Sequence, residues 1–284
     1  MDDTVDRQWV GDLVRATLEE DLAGGVDVTT TATVDPDQVS VAELVARADG
    51  VVAGLEIAEL VIRQVAAPGQ VELEYSVTDG ASVRRGDVLM TIRGKTQQLL
   101  TAERTSLNLL CHLSGVATLT RRWVDAVEGT GAVIRDTRKT MPLLRSLEKY
   151  AVRCGGGRNH RMGLSDAALI KDNHVIAAGG VAEAFRLVRK AYPEISVEVE
   201  VDSVEDALIA VDSGAELILL DNMDVPLLRE AVEKVAGRAK LEASGGLTLD
   251  KAREVAETGV NFLAVGALTH SAPVLDIALD LKAV

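Results

Sequence analysis

Aromatic side chains are scarce in this chain: Phe, Tyr and Trp make up 2% of its 284 residues. A surface that holds single-stranded nucleic acid by stacking bases on aromatic rings is therefore not expected. Leu, Val, Ile and Ala must fill the core, and a hydrophobic content of 47% suffices for a sizeable one. Cysteine is scarce too. Cys111 and Cys154 stand far apart in the chain, which fits neither a zinc pattern nor a disulfide framework. No run of 18 apolar residues occurs, so no membrane span is expected. The opening MDDTVDRQWVGD is acidic and lacks the apolar region of a signal peptide, so none is expected. Positive charge is in deficit, with 30 Lys and Arg against 44 Asp and Glu and a net charge of −14. An acidic exterior opposes non-specific nucleic-acid binding. A soluble cytoplasmic protein is expected, with neither nucleic acid nor membrane as partner. The length allows one large domain or two modest ones.

Against this acidic background stands a cationic island. From Arg135 to Lys171 there are nine Lys or Arg and three acids, a net +6, so the remainder of the chain sums to −20. The charges are interleaved with Gly155-Gly156-Gly157 and Asn159-His160. Such an island suggests a site for a multiply charged anion rather than a solvated basic face.

The periodicity changes along the chain. The first 25 residues read as an amphipathic helix, with Trp9, Val10, Leu13, Val14, Thr17 and Leu18 at helical spacing and Gly24-Gly25 as its stop. From Val39 to about Gly94, short alternating segments are separated by turn pairs such as Asp49-Gly50 and Pro68-Gly69. This predicts an antiparallel β region with one helix, Leu55 to Val65. Within it, GDVLMTI at Gly86–Ile92 is similar to a carrier-domain strand. It runs into Arg93-Gly94-Lys95-Thr96 and lacks the hairpin-tip motif around a modifiable lysine, which argues against a carrier role. A helical stretch is predicted from Thr96 to Gly115 and again from Val116 to Glu128. Six strands with polar tips then recur every 20 to 35 residues, roughly the βα period of a parallel α/β barrel. Six strands are too few for a full barrel of eight, so an incomplete, TIM-like one is expected. The expected organisation is an α+β N-terminal sandwich domain with an antiparallel sheet over 1–115, and a barrel domain over 116–271. The segment from about 272 to 284 is expected to return onto the first domain.

In such barrels chemistry sits at the carboxyl ends of the strands. Those ends carry Lys139, Lys171, Glu200, Asp221, Ser244-Gly245-Gly246 and Gly266. In Val197-Glu198-Val199-Glu200-Val201 the valines share one face and the glutamates the other. Inward carboxylates need a partner, for which Lys139, Lys171 or a metal are the candidates. Ser244-Gly245-Gly246 and Gly266-Ala267-Leu268 follow the last two strands, where barrels often cradle phosphate on backbone amides. Arg138, Lys139, Arg161 and Lys171 are available for other anionic groups.

Long ordered motifs then identify a resemblance. They include Glu20-Asp21-Leu22, Glu103-Arg104-Thr105, Thr137-Arg138-Lys139-Thr140, Lys149-Tyr150-Ala151-Val152 and Leu169-Ile170-Lys171-Asp172-Asn173-His174. They continue with Glu198-Val199-Glu200-Val201, Leu219-Leu220-Asp221-Asn222, Glu242-Ala243-Ser244-Gly245-Gly246 and Val265-Gly266-Ala267-Leu268-Thr269-His270. Over nearly its whole length the chain resembles quinolinate phosphoribosyltransferase, the decarboxylating nicotinate-nucleotide pyrophosphorylase of NAD biosynthesis. The resemblance implies a pentosyltransferase that converts quinolinate and 5-phosphoribosyl-1-pyrophosphate, with magnesium and no organic cofactor, to nicotinate mononucleotide, pyrophosphate and carbon dioxide. It implies that Arg138, His160, Arg161 and Lys171 hold the quinolinate carboxylates and that Thr137 belongs to the substrate-binding set. Lys139 and Lys171 would neutralise pyrophosphate, and Ser244, Gly245, Gly246, Gly266, Ala267 and Leu268 would cradle phosphate. Glu200 and Asp221 would ligate magnesium, hold ribose hydroxyls or stabilise positive charge. Lys139, Lys171, Glu200 and Asp221 are the implied catalytic set. A homodimer with shared sites is also implied, with Arg104 reaching into the neighbouring subunit.

Three other readings stay open on sequence alone. One is a related phosphoribosyltransferase-like protein of molybdenum-transport operons. The second is a Schiff-base aldolase using Lys171, which would need a desolvated lysine. The third is a non-catalytic anion-binding protein.

Overall fold

The computed structural model describes Met1 and residues 4–282. They form two compact units. One comprises the chain up to Leu119, Ser146–Gly156 and the chain from Ser271 on; the other comprises Thr120–Arg145 and Gly157–His270.

In the first unit, α1 (Arg7–Leu22) starts where the Asp6 carboxylate accepts the Gln8 and Trp9 amide protons at 2.9 and 3.2 Å, satisfying two donors that a helix start leaves open. It buries Val10, Val14 and Leu18, four residues apart, and stops at Ala23 in the left-handed region. A short α2 (Val28–Thr33), capped by Asp27, was not foreseen. Then come β1 (Val39–Ala46), β2 (Gly50–Val51), α3 (Leu55–Val65), β3 (Glu72–Tyr75), β4 (Ser82–Val83), β5 (Val88–Lys95) and α4 (Thr96–Ala126). Helix α3 buries Leu55, Ile57, Ala58, Val61 and Ile62, and each large apolar side chain so buried contributes about 1.5–3 kcal/mol.

Helix α4 is continuous, whereas the sequence pattern suggested a break at Gly115. That glycine serves a close approach. A Cβ placed there would stand 2.9 Å from the Val274 Cα and closer still to the Pro273 carbonyl oxygen.

The chain continues through β6 (Val133–Arg135), α5 (Arg145–Cys154), β7 (Ala168–Ile170), α6 (Asp172–Ala178), α7 (Val181–Ala191), β8 (Val197–Val201), α8 (Val204–Asp212) and β9 (Leu217–Asp221). It ends with α9 (Val225–Val235), β10 (Lys240–Ser244), a 3-10 turn (Leu249–Lys251), α10 (Ala252–Ala256), β11 (Phe262–Ala264), α11 (Ala267–His270) and β12 (Ile277–Lys282).

The main sheet of the first unit is antiparallel in the order β12-β1-β5-β3. Leu44 of β1 stands between Leu279 of β12 and Met90 of β5. Strands β2 and β4 form a separate pair. The sheet of the second unit has six parallel strands in the order β6-β11-β10-β9-β8-β7, and Arg158 bridges in parallel to Arg135 on β6. This is the incomplete barrel. Its strands are Val-, Ile- and Leu-rich, as strands covered on both faces must be. Val197, Val199 and Val201 are all buried. Among the described residues, no helix is long and apolar enough to cross a membrane.

Candidate active site

The loops that follow the parallel strands enclose a cavity of about 680 Å³ in the second unit. Thr137, Arg138, Lys139, His160, Arg161, Lys171, Glu200, Asp221, Ser244, Gly245, Gly246, Gly266 and Ala267 all line it. Leu268 lies wholly buried, with its amide turned to the Val265 carbonyl, so only the first two residues of that run face the cavity. Arg104 belongs to the first unit and is exposed on α4.

Backbone geometry builds the glycine-lined end of the cavity. Gly245 and Gly246 have φ of +89° and +58°, a region that glycine enters without penalty. A Cβ on Gly245 would stand 2.8 Å from the Asn222 amide nitrogen and closer to its side chain. Asn222, itself at φ +53°, donates its amide proton to the Ser244 carbonyl at 2.9 Å. Across the cavity, the Lys139 stem crosses Gly266, where a Cβ would meet the lysine Cδ at 3.0 Å. The Thr269 hydroxyl donates to the Lys139 carbonyl at 2.7 Å, and the Lys139 amide to the Thr137 hydroxyl at 3.0 Å. These contacts fix the turn that presents Arg138 and Lys139.

The guanidinium end is electrostatically unbalanced. Burial, and next the like charge of Arg138, push the Arg161 guanidinium below its ordinary pKa. Arg138 Nε is buried with no hydrogen-bond partner. Two neighbouring cations, one with an orphaned buried donor, form a site that calls for an anion. Asp166 holds the adjoining loop by accepting the Met162 and Gly163 amide protons at 2.6 and 2.8 Å. Burial opposes its ionisation, yet these amides keep its carboxyl below the usual range.

Both strand-β8 glutamates have found partners. Glu200 pairs with Lys171 at 2.5 Å, one of the two lysines that the sequence offers as its partner. Glu198 accepts from His160 Nε2 at 2.6 Å. Glu242, one residue before Ala243 on β10, was not singled out from sequence. It lines the cavity floor, pairs with Arg135 and is wholly buried. Burial, then the nearby charge of Glu198, push its carboxyl up to about 8. The signal that finds it is positional: two residues before Ser244 on one strand, it shares that residue's inward face. Asn222, Leu219 and His270 also line the cavity without having been anticipated.

Glu200 and Asp221 offer cavity-facing carboxylate oxygens from adjacent strands. Oxygen donors suit a hard divalent cation that keeps most of its contacts to water and phosphate. Asp221 Oδ2 is held by the Asn222 side chain at 2.7 Å. This donor set fits magnesium.

Comparison with known proteins agrees with this fold. Residues 27–114 match the model of the quinolinate phosphoribosyl transferase N-terminal domain, and residues 116–280 that of the C-terminal domain. A nicotinate-nucleotide pyrophosphorylase (carboxylating) from Mycobacterium leprae is 54% identical over 275 residues, covering 95% of this chain and 96% of that protein. Among solved structures, NadC from Streptococcus pyogenes aligns with a TM-score of 0.93 and 37% identity over 98% of each chain. A nicotinate-nucleotide pyrophosphorylase from Francisella tularensis gives 0.92 and 35%, again over 98% of each. With both domain models matched in order and a relative alike along its length, the chain belongs to the quinolinate phosphoribosyl transferase family.

Proposed function

We propose that this protein transfers a phosphoribosyl group from 5-phosphoribosyl-1-pyrophosphate to quinolinate with decarboxylation, giving nicotinate mononucleotide, pyrophosphate and carbon dioxide. The observation that carries the reading is the Arg138–Arg161 pair, two cations in mutual repulsion beside an unpartnered buried donor. A pyridine dicarboxylate supplies the missing anion. The glycine amides at 245 and 246 suit the sugar phosphate, and Lys139 and Lys171 neutralise the pyrophosphate as it leaves.

The ring nitrogen attacks the anomeric carbon as pyrophosphate departs, through a transition state with oxocarbenium character. Glu200 and Asp221 face the cavity and offset that positive charge or hold the ribose hydroxyls. The pyridinium formed then loses carbon dioxide from the carbon next to its nitrogen. The bonding electrons stay on that carbon, which the positive nitrogen stabilises until a proton arrives. Glu200 and Asp221 would hold magnesium alongside the sugar pyrophosphate, where it would supply charge neutralisation for the leaving pyrophosphate. No organic cofactor enters this scheme.

We take the working form to be a homodimer in which Arg104, exposed on α4, completes the partner's site. We place it in the cytoplasm, a reducing compartment that suits two free cysteines. The deciding assay is release of carbon dioxide from carboxyl-labelled quinolinate. Release is expected only with both the sugar pyrophosphate and magnesium. Release without the sugar pyrophosphate, or none with the full mixture, overturns the reading.

A further inference from the structure

Under the cavity wall lies a buried chain of ionisable groups that the proposed chemistry leaves unused. Arg135 lies over the Phe262 ring, 4.8 Å from its centroid, and pairs with Glu242. Glu242 on β10 and Glu198 on β8 flank β9 and converge on one nitrogen of His160. Glu198 Oε2 is 2.6 Å from Nε2 and Glu242 Oε1 is 3.5 Å from it. The other ring nitrogen, Nδ1, faces the amide N–H of Arg161 at 2.7 Å.

That last contact assigns the ring proton. A backbone N–H can only donate, so Nδ1 carries the lone pair and the proton sits on Nε2, where Glu198 accepts it. The donor atoms of His160, Glu198 and Glu242 lie within 4.8 Å of one another, close enough to suggest a metal site. The tautomer argues against one, since a protonated Nε2 has no lone pair to give. Glu242 Oε2 already accepts from Arg135. Both ring nitrogens are engaged inside the protein, so the ring acts as a strut.

The strut supports Arg161. The His160 amide donates to Asp136 Oδ1 at 2.9 Å, the ring takes the Arg161 amide proton, and Arg161 Nη1 donates to the Ala167 carbonyl at 3.1 Å. Backbone and guanidinium are both tied, and Arg161 lines the cavity.

We propose that Glu198 and Glu242, acting through His160, are positioning residues for Arg161 and tune the grip on the acceptor's carboxylates while leaving the sugar-pyrophosphate end alone. This rests on the reaction proposed above. The test compares Glu198→Ala with Glu198→Gln, whose amide oxygen still accepts the Nε2 proton. KM is measured for each substrate separately. Glu198→Ala should raise KM for quinolinate between about tenfold and 10²-fold, the scale of a small misplacement, with KM for the sugar pyrophosphate within about twofold. Glu198→Gln should recover most of the loss. An unchanged quinolinate KM in Glu198→Ala, an equal rise in both KM values, or a glutamine variant no better than alanine each overturns the proposal. A second readout needs no Glu198 variant. Nitrogen NMR of the imidazole in the wild-type protein, assigned through His160→Asn, should show an unprotonated Nδ1 and a protonated Nε2, with and without quinolinate. A doubly protonated ring, or a tautomer switch on adding quinolinate, also overturns it. Wild-type protein with no quinolinate turnover overturns the reaction instead, so the two failures are distinguishable.

Discussion

Lys171 meets Glu200 with 45% of its side chain still exposed, and the Glu200 carboxylate that its removal leaves unpaired lines the cavity. Lys171→Ala should therefore keep the fold while turnover falls about 10²-fold or more, the scale of losing one electrostatic stabiliser. A folded variant with near-normal kcat/KM would refute the role. In the proposed reaction the arginine pair would set specificity. Nicotinate has one carboxylate fewer than quinolinate and would leave buried donors unpaired. Discrimination in kcat/KM should reach about 10⁴-fold, and comparable values would sink the dicarboxylate reading. Glu242 should contribute to the dependence of stability on pH. Its carboxyl rises from 4.5 to about 8 in the fold, so between those values the folded chain holds a proton that the unfolded chain has lost. Its contribution is complete below pH 4.5 and is lost as pH rises towards 8. Urea unfolding across that range should show Glu242→Gln losing this slope; an unaltered slope contradicts it. At this scale most of the wall was legible. Charged residues at strand ends stand out in an apolar pattern, as Lys139, Lys171, Glu200 and Asp221 did. Glu242 did not, because a carboxylate inside a strand has the same letter whether it faces solvent or a buried arginine, and Arg135 is 107 positions away.

Periodicity served the elements well where a face is buried. The α3 bounds match the apolar spacing from Leu55 to Val65, and all six parallel strands appear where their runs lie. Local pattern was less informative where tertiary contact decides. Gly115 reads as a helix break because glycine weakens helices, yet α4 passes through it, since the backbone at Pro273 and Val274 leaves no room for a side chain. Gly115→Ala separates the two effects. Helix propensity alone would stabilise the protein by about 1 kcal/mol. The clash should instead destabilise it by about 1–3 kcal/mol, read from the unfolding midpoint. Nothing in the spacing of Arg145–Cys154 marks that helix as belonging mainly with the first unit. Its membership rests on contacts such as the Tyr150 hydroxyl donating to Asp79 at 2.7 Å.

The proposed dimer is testable on the whole molecule. Inactive Arg104→Ala and Lys171→Ala subunits can be mixed and allowed to exchange. If Arg104 works in the partner's site, each mixed dimer holds one site with both lesions and one with neither. Equal mixing should then restore about a quarter of all sites. With exchange confirmed, no recovery would mean that Arg104 serves its own subunit, with the rest of the assignment standing. The sheet order of the first unit bears on how the chain is made. Strand β1 is bordered by β5, nearby in sequence, and by β12, with Val41 opposite Lys282. A ribosome releases the residues of β1 long before those of β12, and the entire parallel sheet emerges in between. The nascent first unit therefore waits with one strand edge unpaired, the kind of edge that recruits other chains. Its final stitch is synthesised after the whole parallel sheet, so a message cut short after His270 would encode every cavity-lining residue yet leave β1 without its β12 neighbour.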